Sequence, residues 1–124
     1  MPAPIVFFDI ASSSTEGQAE FYNAVFDWGV APDGRFAVPV LSPLPASLRA
    51  EPSLPTSVTE RVLYIGVPDI TACLETIVAH GGTVVFPRFE VPGVVCLSMF
   101  TDPAGNRMGL VEMDGATPKV PPKR

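Results

Sequence analysis

Few side chains in this chain suit acid–base or nucleophilic chemistry, since its 124 residues include one histidine and two cysteines. His80 stands beside Gly81 and Gly82 at the end of a predicted helix, where a partly positive imidazole suits the helix dipole, so we interpret it as a capping residue. Cys96 has branched neighbours on a predicted strand and no base nearby in sequence, which favours a buried apolar thiol. The sequence contains no Ser-His-acid arrangement, no glycine-rich phosphate loop and no Cys-x-x-Cys spacing.

One glycine occupies an unusual place for its type. The stretch "MFTDPAGNRMGLVE", residues 99–112, reads as a strand, a tight turn and a second strand, with Gly109 in the middle of the second strand. Glycine inside a strand weakens it and often marks the close approach of a ligand or of another backbone. Position 109 is therefore a candidate for such a contact.

Composition and charge exclude several classes of function. The chain is 47% hydrophobic and 17% charged, which is typical of one compact domain. Its net charge of −5, with scattered basic residues, opposes binding to nucleic acid. It has no apolar run long enough for a membrane helix and no signal-peptide pattern at its N-terminus. Cys73 and Cys96 are predicted to be reduced thiols in the cytoplasm.

The predicted elements repeat an order of strand, helix and further strands. The first copy has a strand at 4–10 and a helix after "SSST", whose hydroxyls are candidate N-caps. Its apolar face consists of Ala19, Tyr22, Val25 and Phe26. The second copy has a strand at 61–67 and a helix that Pro68-Asp69 opens and Gly81-Gly82 ends. Its apolar face consists of Ile70, Leu74, Ile77 and Val78. This order indicates a duplicated module.

Prolines interrupt two other parts of the chain. Because proline removes a ladder donor, the region 36–60 is predicted to hold two short strands, near 35–41 and 45–49, followed by a loop across 50–60. The C-terminal segment ends in "TPKVPPKR", so residues 114–124 are predicted to form a flexible tail.

Three blocks in this order, "AEFYNAVFDW", "VPDITACLETIVAHGG" and "DPAGNRMGLVE", together resemble the vicinal oxygen chelate superfamily of glyoxalases, bleomycin-resistance proteins and extradiol dioxygenases. In pattern the chain is most similar to metal-free, glyoxalase-like small proteins. The resemblance implies an α+β fold in a single domain at 1–113, with βαβββ modules at about 4–50 and about 60–113. Their mixed sheet would curl around a shared cavity with the helices outside, and the protein would be a homodimer.

The resemblance also identifies where metal-dependent members hold a divalent cation, on three strands. The equivalent positions here are Phe7, Val62 and Gly109, none of which has a side chain with a lone pair to offer. A fourth position falls in the proline-rich region, where Glu51 and Glu60 are the nearby carboxylates. The resemblance therefore implies no metal and no cofactor here, and it argues against a metal-dependent glyoxalase or dioxygenase activity.

If those three positions face the cavity, strand alternation and the family's hairpin pairing place further side chains there and turn Cys96 toward the helix. The predicted ligand-binding set consists of Phe7, Asp9, Trp28, Val62, Tyr64, Leu97, Met99, Arg107 and Gly109. Its polar members, Asp9, Tyr64 and Arg107, are also the candidate catalytic residues. This lining is mostly apolar and aromatic, as in a small-molecule pocket.

Each of these residues also has a purely structural interpretation. Phe7 and Val62 fill a packed core if the cavity is closed by side chains. Asp9 pairs with Arg107 across the strands in one interpretation and contacts a ligand in the other. The Tyr64 hydroxyl bonds either a ligand or a protein group, and Trp28 either closes one end of the pocket or anchors a subunit interface.

Three functions remain open from the sequence. The first is a metal-independent protein, similar to the bleomycin-resistance branch, that binds a small apolar or aromatic molecule. The second is a lyase-like, isomerase-like or other enzyme of the superfamily with a non-standard site. The third is a non-catalytic structural or interaction module. The expected partners are a small-molecule ligand and a second copy of the chain, with no nucleic acid and no membrane.

Overall fold

The computed structural model describes residues 2–38 and 43–123, with Phe21 described by its backbone alone. Helices and strands together give an α+β fold, as predicted. The elements of these residues are β1 (Ile5–Ser12), α1 (Gln18–Phe26), β2 (Arg35–Val38), β3 (Leu44–Ala50), β4 (Glu60–Val67), α2 (Ile70–Ala79), β5 (Thr83–Val91), β6 (Val95–Thr101), β7 (Arg107–Asp114) and β8 (Thr117–Pro118).

The chain divides into two compact units, and the division falls inside β1 and inside β4. The first unit is Phe7–Leu63, and the second unit combines Met1–Val6 with Tyr64–Arg124. The N-terminal residues of β1 thus belong with the second half of the chain. From β4 onward the order is the predicted βαβββ, whereas the described residues of the first half give β1, α1, β2 and β3.

In the first unit, β3 pairs in parallel with β1 and antiparallel with β2. The sequence predicts the first of the short strands at 35–41, but β2 ends at Val38, and residues 39–42 lie outside the described part of the chain. Apolar side chains from α1 and the strands form one cluster, whose buried members are Val30, Phe36, Ala46 and Leu48.

Helix α1 begins differently from the prediction. Its N-cap is Gly17, in the left-handed region at φ 79°, and no side chain caps the helix. The Ser14 hydroxyl instead accepts a hydrogen bond from the Glu16 N–H at 3.2 Å, so it shapes the turn before the helix. Of the predicted apolar face, Ala19 and Tyr22 pack against the cluster, whereas Val25 and Phe26 are exposed. The Phe26 ring nevertheless contacts Tyr22 and Trp28, with ring centroids 6.2 Å and 5.5 Å apart.

The loop after α1 is fixed by a side chain. Asn23 donates from Nδ2 to the carbonyl of Val30 at 3.1 Å and accepts from the Val30 N–H at 2.6 Å. Val30 itself is buried, so both of its backbone groups gain a partner in a place that water does not reach. Asn23 therefore holds the turn that carries Trp28.

In the second unit, β4 pairs in parallel with β7, while β5, β6 and β7 are antiparallel neighbours. Helix α2 covers one face of these strands. Asp69 caps it as predicted by accepting from the Ala72 N–H at 3.0 Å, and Gly81, at φ 94°, follows its end. The core cluster under α2 consists of Val67, Ile70, Leu74, Cys96, Phe100 and Leu110. Val78, predicted on the apolar face, is 55% exposed.

The C-terminal segment differs from the flexible tail that the prolines suggest. Asp114 still belongs to β7, and Thr117–Pro118 form β8 against the end of that strand. The Lys119 N–H donates to the carbonyl of Glu112 at 2.8 Å, and the carbonyl of Pro121 accepts from the Gly93 N–H at 2.8 Å. Proline cannot donate a backbone hydrogen bond but can accept one, and this explains how a proline-rich segment lies along the unit.

Candidate functional site

The face of the second unit opposite α2 is centred on Tyr64 and Gly109. The parallel register of β4 and β7 sets these two residues side by side. A Cβ atom built on Gly109 would overlap the Cδ2 and Cε2 atoms of the Tyr64 ring. The ring therefore lies directly on the Gly109 backbone, and this contact requires a residue without a side chain.

The same face continues across β6. Met99 lies opposite Gly109 and Leu97 opposite Val111, which confirms the predicted hairpin pairing. Met99 is buried and Leu97 is half-buried. Cys96 points the other way, into the core under α2, also as predicted. Because side chains alternate along a strand, Leu97 and Met99 lie on one face and Cys96 on the other.

Irregular pairing between β5 and β6 opens an apolar groove beside Leu97. The register shifts on either side of Phe86, so that Phe86 lies opposite Met99 and Phe89 lies opposite Leu97. The groove has a volume of about 420 Å³, which is within the usual size range of small-molecule pockets. We call it the β5–β6 groove. Its lining residues are Phe86, Pro87, Arg88, Phe89, Val91 and Leu97.

Arg107 contributes the positive charge of this face. Its Nη2 atom donates to the thioether Sδ of Met99 at 2.7 Å. The residue as a whole is exposed at the start of β7. A guanidinium in this position can bind an anionic or carbonyl oxygen, because it presents several N–H donors in a fixed plane.

A second charged arrangement, in the first unit, surrounds Arg49. Its Nε donates to Asp9 Oδ2 at 3.0 Å, its Nη1 to Glu51 Oε1 at 2.6 Å and its Nη2 to Glu60 Oε1 at 2.7 Å. Asp9 is only 1% exposed, so its carboxylate depends on this cation. Arg49 is not predicted from the sequence as a partner of Asp9, and Glu51 and Glu60 are predicted only as carboxylates near a metal-equivalent position.

The remaining predicted site residues of the first unit are Phe7, Trp28 and Val62, of which Trp28 packs against the apolar cluster of this unit. Val62 is fully buried and Phe7 is half-buried. Trp28 lies between Tyr22, at 5.0 Å between ring centroids, and Phe36, at 5.4 Å, with both pairs stacked. Ligand binding by these residues stays a prediction. So does the pairing of Asp9 with Arg107, which belong to different units.

A third charged group, Arg88 and Glu112, lies on the α2 side of the second unit. Arg88 donates to Glu112 Oε1 from Nη2 at 2.9 Å and from Nε at 3.1 Å, and Glu112 Oε2 accepts from the Ile70 N–H at 3.0 Å. The hydrogen bond from Arg88, helped by the Ile70 N–H, lowers the pKa of Glu112 against the opposing effect of burial. The same bond raises the pKa of Arg88.

The sequence contains a signal for this group, although neither Arg88 nor Glu112 is among the predicted site residues. Glu112 follows Leu110 by two residues, so alternation places its charge on the face that packs under α2, and a buried charge needs a partner. Nη2 of Arg88 also contacts Cys96 Sγ at 3.2 Å. Cys73 and Cys96 are both free thiols, and burial raises the pKa of Cys73.

The three positions equivalent to metal ligands do not fit a metal ion. Phe7 and Val62 offer no donor atom, and the space above Gly109 is filled by the Tyr64 ring. Within residues 2–38 and 43–123, no three His, Cys, Asp or Glu side chains come together as a metal-binding group.

Comparison with known proteins identifies the family. The model of the glyoxalase-like domain matches residues 5–111. The chain belongs to this family. It is thereby a member of the vicinal oxygen chelate superfamily, as its three sequence blocks indicate. In the described part of this glyoxalase-like chain, neither helix is long and apolar enough to span a bilayer.

Two curated relatives and several solved structures are similar to it. CFP32, a candidate glyoxylase of Mycobacterium bovis and Mycobacterium tuberculosis, is 26% identical over 111 residues, which are 82% of this chain and 42% of each relative. The glyoxalase-like chain thus matches less than half the length of these relatives.

Several of the solved structures with a similar fold are methylmalonyl-CoA epimerases. A methylmalonyl-CoA epimerase in complex with methylmalonyl-CoA and NH4+ has a TM-score of 0.68 and 15% identity, covering 96% of this chain and 100% of its own. A Streptomyces coelicolor methylmalonyl-CoA epimerase variant in complex with 2-nitronate-propionyl-CoA has a TM-score of 0.68 and 16% identity, covering 96% and 99%. At these identities the likeness shows the fold alone.

Proposed function

We propose that this glyoxalase-like protein binds a small apolar or aromatic molecule without a metal ion. The observation that carries the proposal is the β5–β6 groove, an apolar concavity lined by Phe86, Phe89 and Leu97 among others. Phe89, which lines the groove, is 57% exposed, although large aromatic side chains normally gain free energy from burial. A ligand that covers Phe89 and Leu97 would supply that burial.

A thermal-shift screen against aromatic and aliphatic small molecules tests the proposal. A ligand that binds only the native state raises Tm, because it stabilises that state by about 2.7 kcal/mol at a hundred times its Kd. We expect hits whose shift is lost in Phe89→Ser. Val94→Ser is the matched control, since Val94 is also an exposed apolar residue but lies outside the groove lining. Equal shifts in both variants would contradict binding at the β5–β6 groove.

Isomerase-like catalysis is the second candidate, and the buried Asp9 carboxylate favours it. This carboxylate is 1% exposed and accepts from Arg49 Nε at 3.0 Å, so it is held in a fixed position, as a general base needs to be. Asp9, Tyr64 and Arg107 are the candidate catalytic residues. The similar epimerases bind CoA esters, so methylmalonyl-CoA is the first compound to test.

Deuterium exchange into methylmalonyl-CoA, followed by mass spectrometry, decides this candidate. Catalysis predicts exchange well above the protein-free rate and its loss in Asp9→Asn. Exchange at the protein-free rate would contradict isomerase-like catalysis on this compound. If the thermal-shift screen also gave no hits, a non-catalytic interaction module would be favoured.

We also propose a homodimer in the cytoplasm. The exposed Val25 and Phe26 of α1 form an apolar patch that a second copy could cover. Free cysteines are typical of a reducing compartment. Sedimentation equilibrium of the wild type and of Phe26→Ser tests the assembly, because loss of the patch should shift the mass toward the monomer. A wild-type mass of one chain at micromolar concentration would contradict the dimer.

A further inference from the structure

We propose that the ligand is an apolar carboxylic acid whose body lies in the β5–β6 groove while Arg107 binds its carboxylate. This inference rests on the proposed function and names the chemical class of its ligand. It follows from the continuity between groove and cation, from the distribution of charge on this face, and from the support that Met99 gives to Arg107.

The groove and Arg107 are joined by consecutive contacts within the second unit. Leu97 and Phe89 line the groove, and Phe86, also in its lining, lies opposite Met99. Met99 in turn contacts the Arg107 guanidinium. Leu97 and Met99 are two residues apart on one strand face, a separation of roughly 7 Å at the usual rise per residue. A molecule with an apolar body and a charged end about 7 Å away matches this distance.

The charge on this face is restricted to one side chain. Among the residues of β5, β6 and β7 that alternate onto the face opposite α2, all of them described, Arg107 alone is charged. Arg88 also touches the groove, but its guanidinium is bound to Glu112 and Glu90. The chain as a whole carries a net charge of −5, so it does not attract anions at long range. An acid would therefore be held by a local contact with Arg107.

The contact with Met99 holds the Arg107 guanidinium on the face opposite α2. The thioether is buried, so Arg107 rests on a fixed apolar support and its plane is oriented before a ligand arrives. Arg107 makes further contacts, and its five N–H donors allow it to serve a ligand carboxylate together with protein partners. Two parallel N–H to oxygen bonds favour a carboxylate over a neutral carbonyl.

Matched acids and amides test this class. The probes are 4-phenylbutanoate and octanoate, each compared with its amide, which has the same body without the charge. Titrations followed by NMR or calorimetry should give a Kd for the acids at least about tenfold lower than for the amides. Added salt should weaken binding of the acids and leave that of the amides unchanged.

Variants at position 107 locate the effect. Arg107→Gln should remove the difference in Kd between acid and amide by weakening binding of the acid, while the Kd of the amide stays unchanged. Arg107→Lys should retain part of this difference. Arg61→Gln is the control, because Arg61 is an exposed arginine of β4 in the first unit. Unchanged Tm values of the free proteins would show that the fold is preserved.

The outcomes separate the two proposals. Equal affinity for acid and amide in the wild type, or a difference that persists in Arg107→Gln, would overturn the carboxylate inference while the groove remains a binding site. Absence of binding by acids and amides alike, with no hit in the thermal-shift screen, would overturn both proposals.

Discussion

A methyl group at position 109 would occupy space that the Tyr64 ring already fills. Close packing of this kind makes both residues dependent on each other, because protein interiors have little room for an added atom. On one side the Tyr64 ring lies against the Gly109 backbone. Strands β4 and β7 are hydrogen-bonded neighbours and cannot separate without losing the hydrogen bonds between them. The ring must therefore move if a side chain is added.

Gly109→Ala should accordingly lower the free energy of unfolding by about 1–3 kcal/mol, the usual cost of overpacking. Urea denaturation measures the change. In a Tyr64→Ala background the same Gly109→Ala substitution should cost little, since the overlapping ring is absent. A loss of equal size in both backgrounds would mean that the ring is not the cause.

The Arg49 guanidinium is surrounded by carboxylates of Asp9, Glu51 and Glu60. Arg49→Met removes the cation and leaves the buried Asp9 beside two like charges, so we expect the free energy of unfolding to fall by about 3 kcal/mol or more. Arg35→Met, at an exposed arginine of β2, is the control and should change stability little. Equal denaturation midpoints for the two variants would contradict this account of Asp9.

At the scale of single residues, the sequence predicts which face of a strand a side chain lies on better than it predicts the partner in an ion pair. The places of Leu97, Met99 and Cys96 follow from alternation, which is a local property of a strand. The ion pair of Asp9 with Arg49 joins residues 40 positions apart, and that of Arg88 with Glu112 joins residues 24 apart. Such pairs depend on which strands become neighbours, and alternation within one strand does not contain that information.

Among the elements, α2 depends on a residue from another strand. Glu112 of β7 accepts from the Ile70 N–H in the first turn of the helix, where backbone donors lack partners inside the helix. Its negative charge also suits the positive end of the helix dipole. The strand thus fixes the start of the helix, and Arg88 keeps the carboxylate ionised.

This arrangement predicts a pH dependence with a definite sign. The pKa of Glu112 in the folded chain lies below its ordinary value of 4.5, so its contribution to stability is fully present above that value. The contribution is lost as pH falls through the lowered pKa. Urea midpoints of wild type and Glu112→Gln should therefore differ most near neutral pH and converge in acid. Glu75→Gln, at an exposed position of α2, should follow the wild type, and convergence at neutral pH instead would contradict the role of Glu112.

The clamp between Asn23 and Val30 is a second dependence between elements. Asn23→Ala leaves the N–H and carbonyl of a buried residue without their partner, so we expect a loss of about 1–3 kcal/mol and faster amide exchange at Val30. Glu20→Ala, on the exposed side of the same helix, serves as the control. Unchanged exchange at Val30 would show that another group holds the loop.

The elements were predictable where their signals are local. Asp69 caps α2, and Gly81 follows its end as expected, because both roles depend on a residue and its nearest neighbours. The exposure of Phe26 and Val78 was not predictable, because helical periodicity does not reveal where the sheet under a helix ends. The course of the C-terminal segment depends on Pro121 finding the Gly93 N–H, which is again a contact distant in sequence.

For the molecule as a whole, the apolar residues at the metal-equivalent positions predict that metal ions do not change its thermal stability. We expect EDTA and added Zn²⁺, Ni²⁺, Mn²⁺ or Fe²⁺ to leave Tm unchanged, because a cation that binds only the native state would raise it. Elemental analysis of the purified protein should find substoichiometric metal. One bound ion per chain, removed by EDTA with a fall in Tm, would contradict metal independence.

The ring of Tyr64 on Gly109 also restricts the order in which this chain can change. A carboxylate side chain fits at position 109 only after Tyr64 has been replaced by a smaller residue. The substitution at position 64 must therefore come first. A library that varies position 109 alone should return glycine, whereas one that varies positions 64 and 109 together should return larger residues at 109 with smaller ones at 64. A single pair of residues thus makes one evolutionary path accessible and closes the other.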